Sequence, residues 1–135
     1  MIAVDSSVLI DILNNSARAE VSEAALRRAL EKGPVVMCDV VVAEVCSALM
    51  QPDEVQQTLE ELGIQYLPMK QTAAARAGEM QKRYRDRKGT YPRVLPDFLV
   101  GAHAMMQCEA LITHDGEFVR DYFKGLKVIV PSELQ

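Results

Sequence analysis

The stretch IAVDSSVLIDIL (residues 2–13) decides the fold, because it places a short strand, an acid and a helix in immediate succession. Residues 2–4 are all apolar, which predicts a short buried strand. Asp5 or Ser6 can cap the helix that follows. The apolar side chains of that helix recur at helical spacing, at Val8, Leu9, Ile12 and Leu13. The stretch therefore predicts the first strand–helix unit of an α/β fold.

The same unit recurs along the chain. Further apolar strands are predicted at residues 35–37, 64–68, 110–113 and 127–130. Helices are predicted between them, at about residues 18–32, 40–50, 53–62, 71–87, from 96 onward and 116–123. Asp39 and Asp115 are expected to cap two of these helices. We therefore expect an α/β/α sandwich around a central, mainly parallel sheet of about five strands, with residues 1–135 as one domain.

Composition narrows the class of protein. The 135 residues are 49% hydrophobic and 25% charged, which is typical of a globular domain with one core. No apolar run reaches the roughly 18 residues that a membrane span needs, and no basic segment precedes the first apolar residues. The three cysteines form no CxxC pair, which indicates free thiols. We therefore expect a cytoplasmic protein without a membrane span.

Four acids stand apart from their apolar neighbours. Asp5 and Asp115 directly follow the first and fourth predicted strands, at the carboxyl ends where the ligand sites of such folds lie. Glu44 lies within an apolar helix. Asp97 interrupts LPDFLVGAHAMM (residues 95–106), on a helix face of small residues that includes Gly101 and lets a neighbouring element approach closely. Acids in such surroundings need a partner.

A divalent cation would satisfy all four acids at once. Carboxylate oxygens favour Mg²⁺ or Mn²⁺ over Zn²⁺, and such an ion can activate a water for attack on a phosphodiester. Simpler interpretations exist for each acid taken singly. Asp5 and Asp115 can be helix caps, Glu44 can pair with an arginine, and Asp97 can be a first-turn acid favoured by the helix dipole. Spacing alone leaves open whether the four converge.

A basic segment near the middle of the chain is a second candidate site. Its sequence is KRYRDRKGTYPR (residues 82–93), with Asp86 as its one acid and with Tyr84 and Tyr91 between the cations. The cations are Lys82, Arg83, Arg85, Arg87, Lys88 and Arg93. The net charge of −4 by itself disfavours nucleic acid, but this cluster predicts contacts with RNA phosphates and stacking of a base on a tyrosine. The alternative is a solvated, charged helix end.

Several of these motifs together resemble those of the PIN-domain nucleases, in particular the toxin branch of VapBC-type toxin–antitoxin pairs. The motifs are AVDSSVLIDIL, VVAEV, LPDFLVGAHA and LITHDGEFVRDYF followed by VIVP, and they extend from Ile2 to about Pro131. By this resemblance the four acidic metal-site positions are Asp5, Glu44, Asp97 and Asp115. The supporting hydroxyl positions are Ser6 and Thr113. His114 departs from the residue often found before the last acid, and the resemblance assigns it no role.

The resemblance implies a function as well as a site. It implies a Mg²⁺- or Mn²⁺-dependent endoribonuclease, usually a homodimer, which cleaves structured RNA of the translation apparatus and is held inactive by a cognate antitoxin. Two alternatives stay open: a housekeeping PIN-type RNA-processing nuclease, and a non-catalytic module that docks a partner. A phosphatase with an aspartyl nucleophile ranks lower, because the DxD motif of such enzymes would need an acid where Ser7 stands.

Overall fold

A five-stranded parallel sheet forms the centre of the molecule. The computed structural model describes residues 1–87 and 93–133. The strands are β1 (Ile2–Val4), β2 (Val35–Met37), β3 (Ile64–Tyr66), β4 (Ala110–Ile112) and β5 (Lys127–Ile129). Their order is β3-β2-β1-β4-β5, and every neighbouring pair is parallel. The predicted α/β class and strand number are confirmed, and the sheet is wholly parallel.

Burial of each strand follows its place in the sheet. The three inner strands, β1, β2 and β4, are buried at every residue. The edge strands β3 and β5 are partly exposed, since a neighbour covers them on one side only. β3 is shorter than predicted: Leu67 still donates its N–H to the Met37 carbonyl at 3.0 Å, but Pro68 has no N–H to continue the ladder.

Helices flank the sheet. They are α1 (Ser6–Leu13), α2 (Ala19–Lys32), α3 (Asp39–Ala48), α4 (Val55–Leu62), α5 (Gln71–Asp86), α6 (Leu95–Gln107) and α7 (Gly116–Tyr122). Each lies where the sequence predicted a helix, with ends that shift by one or two residues. Within residues 1–87 and 93–133, none of the helices has the combined length and apolarity needed to cross a membrane. Cys38, Cys46 and Cys108 are free thiols.

Two of the predicted helix caps were wrong in detail. Cys38, not Asp39, occupies the N-cap position of α3, and the Asp39 carboxylate instead accepts the N–H of Met69 at 3.3 Å. Asp115 does occupy the N-cap position of α7, but its side chain makes no capping hydrogen bond. Asp5 caps α1 as predicted, by accepting the N–H of Ser6 at 2.8 Å. The Asp115 carboxylate is therefore available for other contacts.

The predicted small-residue face of α6 receives the ring of Phe123. A Cβ placed on Gly101 would lie 2.3 Å from two ring atoms of Phe123, so only glycine admits the ring here. Phe123 is 1% exposed and packs in a tilted arrangement against Phe98, with ring centroids 6.5 Å apart. This contact anchors α6, and with it Asp97, against the end of α7.

The strand order creates a crevice at one edge of the sheet. β1 and β4 are adjacent, with Val4 opposite Ile112, although about a hundred residues separate them in sequence. The chain moves outward from β1 in one direction through β2 and β3, and from β4 in the other direction to β5. In open parallel sheets, ligands bind beyond the carboxyl ends of the strands where the order reverses in this way. Asp5 and Asp115 follow these two strands.

Candidate active site

All four predicted acids border one small cavity beyond the carboxyl ends of β1 and β4. Asp5 follows β1, Glu44 projects from α3, Asp97 lies in the first turn of α6, and Asp115 precedes α7. The cavity has a volume of about 20 Å³, and its remaining walls include Gly101. That volume accommodates roughly one water-sized ligand. The structure thus brings together four carboxylates from four separate segments.

Asp5 is held by three hydrogen bonds. Its carboxylate accepts the N–H of Ser6 at 2.8 Å, the Ser7 hydroxyl at 3.3 Å and the Thr113 hydroxyl at 2.8 Å. Burial raises the pKa of Asp5, the three hydrogen bonds oppose that rise, and the charge of Asp115 adds to it. The net rise in the pKa means that the charged carboxylate lies in an unfavourable environment without a cation.

The two hydroxyl residues hold the acids in place. Thr113 is fully buried; it donates its hydroxyl to Asp5 and accepts the backbone N–H of Asp115 at 3.0 Å. Ser6 donates its hydroxyl to Glu44 at 3.1 Å and its backbone N–H to the Asp5 carboxylate at 2.8 Å. Each hydroxyl residue therefore connects two of the four acids.

Repulsion from neighbouring carboxylates raises the pKa values of Glu44 and Asp97. Burial raises the pKa of Glu44, the hydrogen bond from Ser6 lowers it, and the charges of Asp5 and Asp97 raise it further. Burial also raises the pKa of Asp97. The N–H of Val94, at 3.4 Å, and the charge of Arg93 lower that pKa, while Asp115 and Asp5 raise it. The site is therefore a crowded cluster of like charges, which attracts cations.

Arg93 is the counter-ion of Asp115. Its guanidinium donates to the two carboxylate oxygens, at 2.5 and 3.4 Å, and its carbon lies 4.3 Å from the centroid of the Phe118 ring. Burial lowers the pKa of Arg93, but the hydrogen bond and charge of Asp115 outweigh this effect and raise it overall. Sequence reasoning placed Arg93 in the basic cluster and missed this pairing, because 22 residues separate the partners.

The donor set fits a hard divalent cation, although the side chains are not arranged around one. Across the described ranges 1–87 and 93–133, no group of three or more His, Cys, Asp or Glu side chains has metal-binding geometry. Hydroxyl donors engage Asp5, and Arg93 engages Asp115. The donors are nevertheless all carboxylate oxygens, which suit Mg²⁺ or Mn²⁺. Binding would require the carboxylates to turn toward a common point.

The structure separates the predicted basic cluster into distinct parts. Arg83 and Arg87 line a pocket of about 560 Å³ together with Arg76 and Lys124, which the sequence reasoning did not select. The remaining cations of α5, Lys82 and Arg85, are exposed and are not among the residues that line this pocket. Lys88 and Tyr91 lie outside the described residues. Arg93 instead pairs with Asp115 and lines a pocket of about 300 Å³ beside the acidic cavity.

His114 joins the segment before Asp115 to two helices. Its Nε2 atom lies 2.8 Å from the Ser22 hydroxyl and 3.0 Å from the Asp11 carboxylate, which also pairs with Arg18 at 3.2 Å. Burial lowers the pKa of His114, Arg18 lowers it further, and Asp11 opposes them. Sequence reasoning gave His114 no role; the structure gives it a structural one that fixes the backbone beside Asp115.

The fold and the acid-lined cavity together define an α/β protein with a carboxylate-rich site at the switch point of its sheet. The chain belongs to the PIN domain family, whose model matches residues 2–124. PIN domains are typically nucleases and generally bind a divalent metal ion.

Several solved structures have the same fold. VapBC2 from Rickettsia felis, bound to a DNA fragment from its promoter, aligns with a TM-score of 0.72 at 14% identity over 96% of this chain and 98% of that one. FitAcB from Neisseria gonorrhoeae aligns at 0.69 and 20% identity, over 99% and 100%. VapC20 from Mycobacterium tuberculosis, a sarcin–ricin loop cleaving toxin, aligns at 0.64 and 17% identity, over 94% and 99%. No curated protein matches by sequence.

Proposed function

We propose that this chain is a Mg²⁺- or Mn²⁺-dependent endoribonuclease in which Asp5, Glu44, Asp97 and Asp115 hold the metal. One observation supports this proposal above the others: four carboxylates from four segments border a single cavity at the switch point of the sheet. Three of them, Asp5, Glu44 and Asp97, have pKa values raised in part by the charges of the others, so a bound cation would relieve the repulsion.

The residues of the chain divide the work at this site. A divalent ion, when bound, supplies a polarised water and neutralises charge on the phosphate. Thr113 contacts Asp5 and the backbone of Asp115, and Ser6 contacts Glu44, so that these three acids stay beside the same cavity. Arg93 holds its guanidinium against Asp115, one of the four acids, and can donate to a phosphate oxygen once it leaves that carboxylate.

We further propose that the protein is the toxin of a VapBC-type pair, that it cleaves structured RNA of the translation apparatus, and that a cognate antitoxin inhibits it. The fold match to several VapBC complexes and to a sarcin–ricin loop cleaving toxin supports this proposal. A homodimer in the cytoplasm is part of the same proposal, in line with the three free thiols.

Cleavage of RNA by the purified protein tests the enzymatic part. Total cellular RNA is incubated with the wild type in Mg²⁺ or in EDTA, and with Asp5→Asn in Mg²⁺. We expect discrete cleavage by the wild type in Mg²⁺ and none in the other two reactions. Asp53→Asn, which removes an exposed acid outside the cavity, is the matched control and should cleave like the wild type. Cleavage that survives both EDTA and Asp5→Asn would refute the proposal.

Induction in cells separates the toxin from a housekeeping nuclease. A toxin should arrest growth when it is induced, and co-expression of a small protein from the neighbouring gene should restore growth. Mapping the new RNA ends after induction identifies the target. Normal growth on induction, with activity retained in vitro, would favour RNA processing instead.

A further inference from the structure

Two adjoining pockets lead away from the acidic cavity. The first, here called the aromatic pocket, has a volume of about 300 Å³ and is walled by Tyr84, Phe118 and Tyr122. It shares Asp115 and Phe118 with the acidic cavity. The second, here called the basic groove, is the 560 Å³ pocket of the α5 cations, and it shares Tyr84 and Tyr122 with the aromatic pocket. The three spaces therefore lie side by side with shared walls, and this row of pockets is here called the path.

The charges along this path change in sign. Among the described residues, four cations and one acid, Asp121, line the basic groove, and the cations are Arg76, Arg83, Arg87 and Lys124. Exposed Glu79 on the same helix pairs with Arg76 and Arg83, so the groove keeps a net positive charge of about one or two. Arg76 and Arg83 share one face of α5, and Arg87, the residue that ends the helix, continues their spacing. This charge and spacing suit the phosphates of a nucleic acid strand.

The aromatic pocket has the opposite character. Three acids line it, Glu117, Asp121 and Asp115, together with one cation, Arg93. Arg93 already pairs with Asp115, so the charge of the pocket is negative. A phosphate would be repelled there. Aromatic rings beside hydrogen-bond acceptors suit an unpaired nucleobase, which stacks on a ring and donates its amino hydrogens to carboxylates.

The hydroxyl of Tyr84 gives an independent sign of a ligand. Tyr84 is 7% exposed and borders both pockets, and its hydroxyl is buried without a hydrogen-bond partner among the described residues. Its ring is held by Phe98 and Tyr122, with centroids 5.6 and 5.5 Å away. A buried polar group without a partner destabilises a protein, so such groups are few and call for a reason. A base that hydrogen-bonds this hydroxyl supplies one.

We propose that this path binds the single-stranded segment of RNA next to the scissile phosphate, with an unpaired base in the aromatic pocket and the following phosphates along the basic groove. The inference rests on the proposed ribonuclease function and adds to it the mode of substrate binding. Because the pocket walls accept hydrogen bonds, bases with an amino group should bind better than uracil.

Binding without metal tests the basic groove. The probe is a fluorescein-labelled oligocytidylate RNA of twelve nucleotides, and its fluorescence anisotropy is followed with the full chain in EDTA over a series of salt concentrations. We expect the double variant Arg83→Ala/Arg87→Ala to bind about tenfold more weakly or worse. Its slope of log affinity against log salt should become shallower by roughly 0.7 for each phosphate that the removed arginines would neutralise.

The matched control removes two cations from the other side of the same helix. Lys82→Ala/Arg85→Ala has the same change in net charge, but neither residue lines the groove. We expect its salt slope to equal that of the wild type. Equally weakened binding in both double variants, or unchanged binding in both, would overturn the groove.

Two further measurements test the aromatic pocket. Tyr84→Phe keeps the ring and removes the hydroxyl, so it should weaken binding several-fold while the melting temperature stays equal or rises. Oligouridylate should bind more weakly than oligocytidylate, which has a base of the same size with an amino group. Unchanged affinity in Tyr84→Phe, or equal affinity for the two oligonucleotides, would overturn the base pocket.

The two proposals fail in different ways. If Arg83→Ala/Arg87→Ala weakens RNA binding but the wild type never cleaves RNA, the proposed role of the groove is supported and the proposed nuclease function is refuted. If the protein cleaves RNA in a metal-dependent way but the Arg83→Ala/Arg87→Ala variant binds RNA as tightly as the wild type, the proposed role of the groove is refuted and the proposed nuclease function is not.

Discussion

Replacing Gly101 with alanine should destabilise the protein, although alanine is the better helix former. Gly101 lies inside α6, one turn after Asp97, and faces the buried ring of Phe123. The added Cβ would lie 2.3 Å from two ring atoms and 2.8 Å from a third. An ordinary contact begins at 3.4 Å, so the ring or the helix must move by about 1 Å.

The size of the effect follows from two opposing terms. Overpacking of a closed core costs about 1–3 kcal/mol. The change from glycine to alanine in a helix returns up to about 1 kcal/mol. The expected net decrease in the free energy of unfolding is therefore about 1–2 kcal/mol, which for a chain of this length lowers the melting temperature by roughly 3–8 °C.

Gly78 offers the matched control. It lies inside α5, and a Cβ there meets nothing within 4 Å. Gly78→Ala should therefore raise the melting temperature by a few degrees, because only the helix preference changes. Calorimetry or circular dichroism on both variants in EDTA measures the difference. A Gly101→Ala protein that melts at or above the temperature of Gly78→Ala would refute the packing argument.

Three further predictions concern the acidic cavity. Burial raises the pKa of Asp5, so its contribution to stability is present at acidic pH and is lost as the pH rises through that pKa. In EDTA at pH 7, Asp5→Asn should melt above the wild type, with a difference that shrinks toward about pH 4; a lower melting temperature at pH 7 would contradict this. Arg93→Ala should lower the Mg²⁺ concentration at which the metal raises the melting temperature, because Arg93 competes with the metal for Asp115. The control Arg85→Ala, which removes an exposed arginine, should leave that Mg²⁺ concentration unchanged. An unchanged midpoint in Arg93→Ala would rule out competition. Thr113→Val should reduce the free energy of unfolding by about 1–3 kcal/mol, since it removes the hydroxyl partner of Asp5 and of the Asp115 N–H. Denaturant unfolding of Thr113→Ser, which keeps the hydroxyl, should show a much smaller decrease.

Local sequence predicted the elements because their signals are local. Three-residue apolar strands followed by amphipathic helices are recognisable within a few residues, and their alternation is typical of a parallel sheet. Helical spacing also predicted which residues share a side of a helix: Arg83 and Arg87 do, and so do Asp97 and Gly101. Local sequence did not predict which neighbouring element each helix face would contact, because that depends on the path of the chain between elements.

The errors at the caps have the same cause. Asp39 and Asp115 both lie at helix starts, and local rules favour a capping role for each. Distant partners decided otherwise, since Met69 donates to Asp39 and Arg93 donates to Asp115. A local preference of about 1 kcal/mol yields readily to a charged or tertiary contact of equal or greater strength.

By itself, the sequence of this protein determined which side chains are the candidates for its chemistry: four acids, two hydroxyls and a row of cations, each on a recognisable strand end or helix face. Only the tertiary structure decided which of them meet. The pairing of β1 with β4 brings Asp5 within 2.8 Å of a hydroxyl 108 residues away, and the packing of α3 and α6 adds Glu44 and Asp97 to the same cavity. The tertiary structure also pairs Arg93 with Asp115 and places Arg76 and Lys124 in the same pocket as Arg83. The physical reason is that a helix or strand fixes its own faces through bonds a few residues apart, whereas a site is formed by contacts between segments whose order in the sheet no local signal contains.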